Sequence, residues 1–106
     1  MKTDIKKALE MQTTIKEKHG NECVALFRTA DEYELYSNDA TDNYFVVGVN
    51  VQFSFATYIQ NEQTIMVARA KFEHGELDQV LPKIIRAGHR VCIVDAPVHY
   101  ATTNAR

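Results

Sequence analysis

Residues 81–95 read LPKIIRAGHRVCIVD and join a helix-like pattern directly to a strand-like one. The helical face consists of apolar residues spaced i, i+4, i+7 and i+8, namely Leu77, Leu81, Ile84 and Ile85. Gly88 predicts the end of this helix, and Pro82 inside it is expected to remove one hydrogen bond and bend it. The apolar run in residues 90–95 is typical of a strand covered on both faces. The stretch therefore predicts a helix followed by a buried strand, which is a unit of α/β folds.

Helix and strand patterns also alternate before this stretch. In chain order we predict a helix over 5–19, strands over 23–28 and 33–36, a short helix or turn over 40–44, and strands over 49–56 and 64–72. The first two strands are expected to form a hairpin, and the next two to pair as antiparallel neighbours. The elements predict one α/β domain over residues 1–106, with a mixed sheet of about five or six strands and two main helices packed on it. We expect flexible ends at about residues 1–4 and 101–106.

Size and composition fit one globular domain. The chain has 106 residues, of which 45% are hydrophobic and 25% charged, so a single core is feasible. Its longest apolar runs fall far short of the roughly 20 residues that span a bilayer. The N-terminus carries charges and lacks the apolar core of a secretory signal. These features predict a cytoplasmic protein with no membrane contact.

Charge is distributed unevenly along the chain. Residues 1–28 and residues 69–106 each carry a balance of +2, whereas residues 29–68 carry −6 and contain no Lys or Arg, for a total of −2. Because DNA phosphates are bound by Lys and Arg, the middle segment cannot hold a duplex backbone by itself. Any nucleic-acid contact must therefore draw on the two flanks.

The sequence contains no pattern that is diagnostic of a catalytic, cofactor or metal site. Cys23 and Cys92 lie in apolar strand patterns, which favours reduced core thiols over a disulfide. The four His residues are scattered, without the spacing of a zinc site. A hydrolase or metal site would need Asp31, Glu32 and Glu34 together with a His, but the run of acids has no catalytic spacing. We expect a protein that is not an enzyme and has no cofactor and no metal.

Residues 26–40 read LFRTADEYELYSNDA, a strand followed by a turn and an acidic segment. This segment resembles the N-terminal mismatch-recognition domain of the MutS family, where an Arg precedes Gly-Asp-Phe-Tyr-Glu-Leu-Phe and then Asp-Asp-Ala or Glu-Asp-Ala. Residues 81–95 are similar to the helix, Gly turn and strand that close the same domain. The order and separation of the segments fit along nearly the whole chain, so we expect a free-standing domain of this kind. The sequence has no Gly-x-x-x-x-Gly-Lys-Ser/Thr loop for ATP.

The resemblance implies a mode of DNA recognition that this chain has lost in part. In the MutS family the Phe of a Phe-x-Glu motif wedges beside a mispaired base, and the Glu contacts that base. An apolar ring can replace the stacking that is lost at such a step. Here Asp31, Tyr33 and Glu34 match the motif, but Glu32 occupies the wedge position, and a carboxylate cannot stack. Ala30 replaces the usual Gly, which leaves the geometry of the turn open.

The candidate DNA-contacting residues are Glu32, Tyr33, Glu34, Lys83, Arg86 and Arg90. Glu34 keeps the position of the base-contacting Glu, and the alternative is a solvated acidic turn. Tyr33 and Tyr36 offer rings for stacking on bases, but packing in the core is the favoured interpretation. The basic cluster around His89 either contacts phosphates or forms a solvated helix face that balances the helix dipole.

Three hypotheses about function follow. The first is a DNA-binding or mismatch-repair accessory domain that meets double-stranded DNA at a sheet edge near Tyr33 and Glu34. The second is a protein-interaction module whose acidic segment, residues 29–68, binds a basic protein partner. The third is self-association through an open sheet edge, with the oligomeric state undetermined. The position of Glu32 bears on the first: an open face beside the basic helix keeps DNA contact possible, and a salt bridge weakens the reading of bases.

Overall fold

A computed structural model of the chain describes residues 2–47 and 51–99, and of residues 44–47 the backbone alone. The described elements are α1 (Ile5–His19), β1 (Cys23–Arg28), β2 (Glu32–Tyr36), α2 (Asn38–Val47), β3 (Gln52–Gln60), β4 (Gln63–Glu73), a 3₁₀ turn (His74–Glu76), α3 (Leu77–Arg86) and β5 (Arg90–Asp95). The strands form one mixed sheet in the order β3-β4-β2-β1-β5, in which β1 and β5 are parallel and the other neighbours antiparallel. The predicted α/β fold with a mixed sheet of about five or six strands is confirmed, and the sheet has five strands.

Helices cover both faces of the sheet, so the core has two halves. On one face α1 packs through Ile5 and Ala8 against a cluster that includes Phe27 and Tyr36. On the other face α2 and α3 cover a second cluster, to which α3 contributes Val80 and Ile84. We call these the α1 face and the α3 face. Their separation decides which side chains of each strand share a surface.

Most of the predicted elements are confirmed, with differences at their bounds. The predicted short helix over 40–44 is part of α2, which begins at Asn38 and is ten residues long. The predicted strand over 49–56 corresponds to β3, although residues 49 and 50 lie outside the described part of the chain. Pro82 lies inside α3, as expected. Of the ends predicted to be flexible, residue 1 and residues 101–106 are also outside the described residues.

Two expectations about strand position were wrong. β2 lies in the middle of the sheet, so Tyr33 and Glu34 are not at a sheet edge. β5 is an edge strand and its faces are covered incompletely, since Val91, Cys92 and Val94 are partly buried and Ile93 is exposed. The apolar run of β5 is explained by its place between layers: Val91 packs toward the α3 face and Val94 toward the α1 face.

The segment before α1 is tied to the segment after β5. Thr3 forms an isolated antiparallel bridge with Val98, and the Asp4 amide donates to the Pro97 carbonyl at 2.8 Å. Asp4 also caps α1, because its carboxylate accepts a hydrogen bond from the Lys7 amide. These contacts hold residues 2–4 across the α1 face.

A buried ion pair joins α1, β1 and α2. The Lys16 ammonium contacts one carboxylate oxygen of Asp39 at 2.7 Å, and the Ala25 amide donates to the other oxygen at 3.1 Å. Lys16 also donates to the Cys23 carbonyl at 2.8 Å. Burial raises the pKa of the Asp39 carboxyl, although Lys16 and the Ala25 amide favour its charged form. The acidic residue of the family-like Asn38-Asp39-Ala40 segment therefore has a structural role.

Replacing Lys16 with Met should lower the free energy of unfolding by about 3 kcal/mol, because the Asp39 side chain, 5% exposed, would lose its counter-ion inside the protein. Met keeps most of the apolar stem of Lys, so packing changes little. Urea denaturation followed by circular dichroism gives the value. The exposed Lys18→Met on the same helix is the control and should stay within about 0.5 kcal/mol of the parent. Equal effects of the two substitutions would contradict a structural role for the ion pair.

Candidate nucleic-acid interface

β2 sends alternate side chains to opposite faces of the sheet, since successive residues of a strand point in opposite directions. Glu32 and Glu34 lie on the α1 face, together with Tyr36, which belongs to the core cluster under α1. Tyr33 and Leu35 lie on the α3 face. The two acidic positions of the family-like motif are therefore neighbours, and the ring between them points away.

A groove of about 1060 Å³ runs along the α1 face beside these carboxylates. Its walls come from the N-terminal segment, the turn between β1 and β2, and strands β3 and β4. Its basic lining residues are Lys2, Lys6, Arg69, Lys71 and His99, and its acidic ones are Asp4, Asp31, Glu32 and Glu34. Both kinds of charge thus meet in one concave surface.

Glu34 is held by two hydroxyl groups. Its Oε1 atom accepts a hydrogen bond from the Thr3 hydroxyl at 2.6 Å and another from the Tyr36 hydroxyl at 2.7 Å. Only 7% of the residue is exposed. The N-terminal segment therefore covers Glu34, and the carboxylate is fixed within the protein instead of projecting as a solvated acidic turn.

Tyr36 departs from the Phe that the MutS family usually has at this position. Its ring is fully buried and meets Phe27 edge to face at 5.8 Å. Burial, the negative charge of Glu34 and the hydrogen bond to Glu34 raise the pKa of the Tyr36 hydroxyl. The hydroxyl therefore stays protonated and remains a donor to Glu34 throughout the physiological pH range.

Glu32 forms a salt bridge with a residue of the neighbouring strand. Its Oε1 atom lies 3.5 Å from the Lys71 ammonium, and both side chains are 27% exposed. The pair arises because β2 and β4 are antiparallel and place Lys71 opposite Glu34, one step diagonally from Glu32. Glu32 is thus a paired carboxylate at the groove, and this salt bridge weakens the hypothesis that it takes part in reading bases.

The turn that carries Glu32 tolerates Ala30 in place of the usual Gly. The Thr29 hydroxyl accepts from the Glu32 amide at 3.0 Å, and the Thr29 amide donates to the Glu32 carbonyl at 2.8 Å. His74 reinforces the turn through the carbonyls of Asp31 and Thr29. Ala30 does not adopt the left-handed conformation that would require Gly. The turn is therefore closed without backbone strain at that position.

Tyr33 is part of the core of the α3 face. Its ring stacks on Phe72 at a centroid distance of 5.4 Å and lies 4.9 Å from the ring of His74. The residue is 7% exposed. Core packing, the interpretation that the sequence favoured for Tyr33 and Tyr36, is confirmed for both rings.

The basic residues that the sequence singled out lie away from the two carboxylates. Lys83 and Arg86 are on α3, which covers the opposite face of the sheet. Arg90 begins β5, where its guanidinium lies 3.8 Å from a Glu22 carboxylate oxygen and 3.4 Å from the His19 carbonyl. The structure therefore brings Glu32 and Glu34 together, and it brings neither beside this basic cluster.

Sequence reasoning missed the cations that do adjoin the two carboxylates. In the sequence, Arg69 and Lys71 are simply polar residues that alternate with apolar ones in the predicted strand over 64–72. Their pairing opposite Tyr36 and Glu34 joins segments about 35 positions apart, and no local pattern encodes that register. Lys2 and Lys6 reach the groove because the N-terminal segment crosses the α1 face.

The acidic residues of segment 29–68 do not form one continuous surface. Glu34 and Asp39 are buried and hydrogen-bonded, and Glu32 is paired with Lys71. Asp31, Asp42 and Glu62 are exposed, but they belong to the turn after β1, to α2 and to the turn between β3 and β4. The acidic face on which the second hypothesis relied is therefore divided among separate elements.

Within the described residues, no group of three or more His, Cys, Asp or Glu side chains is arranged to hold a metal ion. Cys23 and Cys92 are free thiols, and burial raises the pKa of the Cys23 thiol. None of the helices that the structure describes is both long enough and apolar enough to cross a membrane.

The chain is similar to known proteins along most of its length. Residues 8–104 match the family described as MutS domain I. The "DNA mismatch repair protein MutS" of Parabacteroides distasonis is 41% identical over 76% of this chain, and that of Porphyromonas gingivalis is 40% identical over 76%. The protein of the same name from Flavobacterium psychrophilum is 31% identical over 82%. The aligned segment amounts to only 8 to 9% of the length of these relatives.

Tyr36→Phe should lower the free energy of unfolding by about 1.5 to 3 kcal/mol, the usual contribution of a buried hydrogen bond to a charged group. In a Glu34→Met background the same substitution should cost close to nothing, because the acceptor is already gone. A double-mutant cycle measured by urea denaturation isolates this coupling. A cost of Tyr36→Phe that is equal in both backgrounds would contradict the hydrogen bond between the two side chains.

Proposed function

Because the chain belongs to the MutS domain I family, we propose that it is a non-catalytic domain that contacts double-stranded DNA in mismatch repair. The match over residues 8–104 is the observation that carries this proposal. The similar proteins are named as DNA mismatch repair proteins.

The contact surface that we propose is the groove on the α1 face. It contains both acidic positions of the family-like motif and is lined by four Lys and Arg side chains that carry positive charge toward phosphates, namely Lys2, Lys6, Arg69 and Lys71, of which Lys71 is already paired with Glu32. Phosphate contacts of this kind position a protein on a duplex and carry no sequence information. Lys83, Arg86 and Arg90 lie far from this groove. They would contact DNA phosphates only if the duplex also passed around the α3 face.

Binding through this groove should not discriminate mismatched from matched DNA by wedging. Glu32 stands where the family has the wedge Phe, and its carboxylate has no apolar surface to replace a lost stacking partner. Glu34, which matches the base-contacting Glu, already receives hydrogen bonds from Thr3 and Tyr36. The proposed domain therefore holds the duplex backbone and reads mispaired bases poorly.

Fluorescence anisotropy with a labelled duplex at low salt should detect binding that weakens steeply as salt is added, because each released counter-ion contributes to the salt dependence. Matched and mismatched duplexes should bind with equal affinity. Lys6→Gln, at an exposed residue that lines the groove, should weaken binding and reduce the salt slope by about 1, whereas Lys18→Gln, on α1 but outside the groove lining, should change neither. Absence of binding at the lowest salt would remove the proposed function.

Glu32→Phe should create a preference for mismatched over matched DNA, because stacking of an aromatic ring on a base contributes about 1 to 3 kcal/mol. The expected change is roughly tenfold in the ratio of the two dissociation constants. Asp42→Phe, which makes the same change of charge and ring on exposed α2, should leave the ratio at one. If both variants raised the affinity for every duplex alike, the added ring would be acting nonspecifically and the wedge assignment of position 32 would be wrong.

A further inference from the structure

The outer edge of β3 is open along the described chain. β3 pairs with β4 on one side, and no described strand pairs with it on the other. Its nine residues, QFSFATYIQ, contain no charge and no Pro. Edge strands of monomeric proteins are usually protected by charges, Pro or bulges, because unpaired backbone groups accept any other strand. β3 has none of these protections.

The turn between β3 and β4 fixes which backbone groups point outward. Gln60 and Gln63 face each other across a two-residue turn in which Asn61 and Glu62 both have positive φ. Such a turn is closed by a hydrogen bond between its flanking residues, and bonding to β4 then alternates along the strand. Residues 52, 54, 56, 58 and 60 bond inward to β4. The intervening residues 53, 55, 57 and 59 therefore direct their amides and carbonyls to the open edge.

The same intervening positions carry an exposed apolar surface on the α3 face. Phe55 is 59% exposed and Ile59 is 66% exposed. Met66, which lies opposite Thr57 on β4, is also 66% exposed. At these exposures the three side chains are largely accessible to solvent. Backbone hydrogen-bonding capacity and uncovered apolar side chains thus coincide in one strand.

We propose that β3 pairs antiparallel with β3 of a second copy of this chain, joining two five-stranded sheets across a two-fold axis at Thr57. In this register Thr57 faces Thr57 of the partner copy, and Phe55 faces Ile59 of the partner copy. The apolar side chains of each copy then cover those of the other, with Met66 packing beside them. This is the isologous contact expected of a symmetric dimer.

A second copy fits this edge because the strand is complementary to itself. It carries no charge, so two copies meet no like-charge repulsion, and a charged partner strand would gain no ion pair from it. Phe55 and Ile59 lie at equal distances in sequence on either side of Thr57. When two copies of β3 pair antiparallel about Thr57, each apolar side chain therefore meets an apolar side chain of the other copy. A partner of another kind would have to reproduce this pattern, which the chain itself already provides.

Sedimentation equilibrium of the whole chain over a wide concentration range tests the proposal. The wild type should approach twice the 12.1 kDa of one chain as concentration rises. Thr57→Lys should stay at the mass of one chain, because two ammonium groups would face each other on the axis. Thr57→Glu should do the same, and an equimolar mixture of the two variants should recover the doubled mass. Thr14→Lys, at an exposed position on α1, is the control for the added charge and should associate like the wild type.

Circular dichroism spectra should be the same for all these chains, which separates loss of pairing from loss of folding. A wild type that remains a single chain at every concentration would overturn the proposal and leave the edge to a strand of a different protein. Association of Thr57→Lys as strong as that of the wild type would also overturn it. So would a mixture of the Lys and Glu variants that fails to associate.

Discussion

The central position of β2 is the constraint on which the rest of this structure depends. The strand is hydrogen-bonded on both sides, by β1 and by β4, so its register cannot slip by one residue without exchanging its two faces. That register buries Tyr33 and Leu35 under α3 and directs Glu32 and Glu34 toward α1. This division places Glu32 and Glu34 together at the groove and buries the Tyr33 ring on the opposite face. It also places Glu34 under the N-terminal segment.

The departures from the family pattern on this strand are connected physically. In the alignment that we propose, Glu32 stands where the family has an apolar ring and is balanced by Lys71, and Tyr36 stands where the family has Phe and donates a hydrogen bond to Glu34. Both residues make the α1 face of β2 more polar: Glu32 adds a carboxylate that Lys71 balances, and Tyr36 adds a hydrogen-bond donor for Glu34. If Glu32 stands at the wedge position, as we propose, this surface suits phosphates at its rim more than a base at its centre.

The sequence predicted the helices and strands better than it predicted which of them lie side by side in the sheet. Apolar periodicity located α1, α3 and four of the strands, because it depends on residues close together in the chain. It wrongly predicted that β5 is covered on both faces. An apolar run has the same pattern in a half-buried edge strand as in a strand at the centre of a sheet. The basic residues near Lys83 were candidates for DNA contact because they are close together in the sequence. Arg69 and Lys71 lie near Glu34 only because β4 pairs with β2, which is distant in the chain. Side-chain direction and strand order, not residue type, decide which charges share the groove.

The most direct test is to map the amides that respond when an isotopically labelled sample is titrated with a short duplex at low salt. If the groove on the α1 face holds DNA, the changes in chemical shift should concentrate at Thr3, Glu32, Arg69 and Lys71. Changes confined to α3 and the start of β5 around Lys83, Arg86 and Arg90 would contradict this placement of the interface.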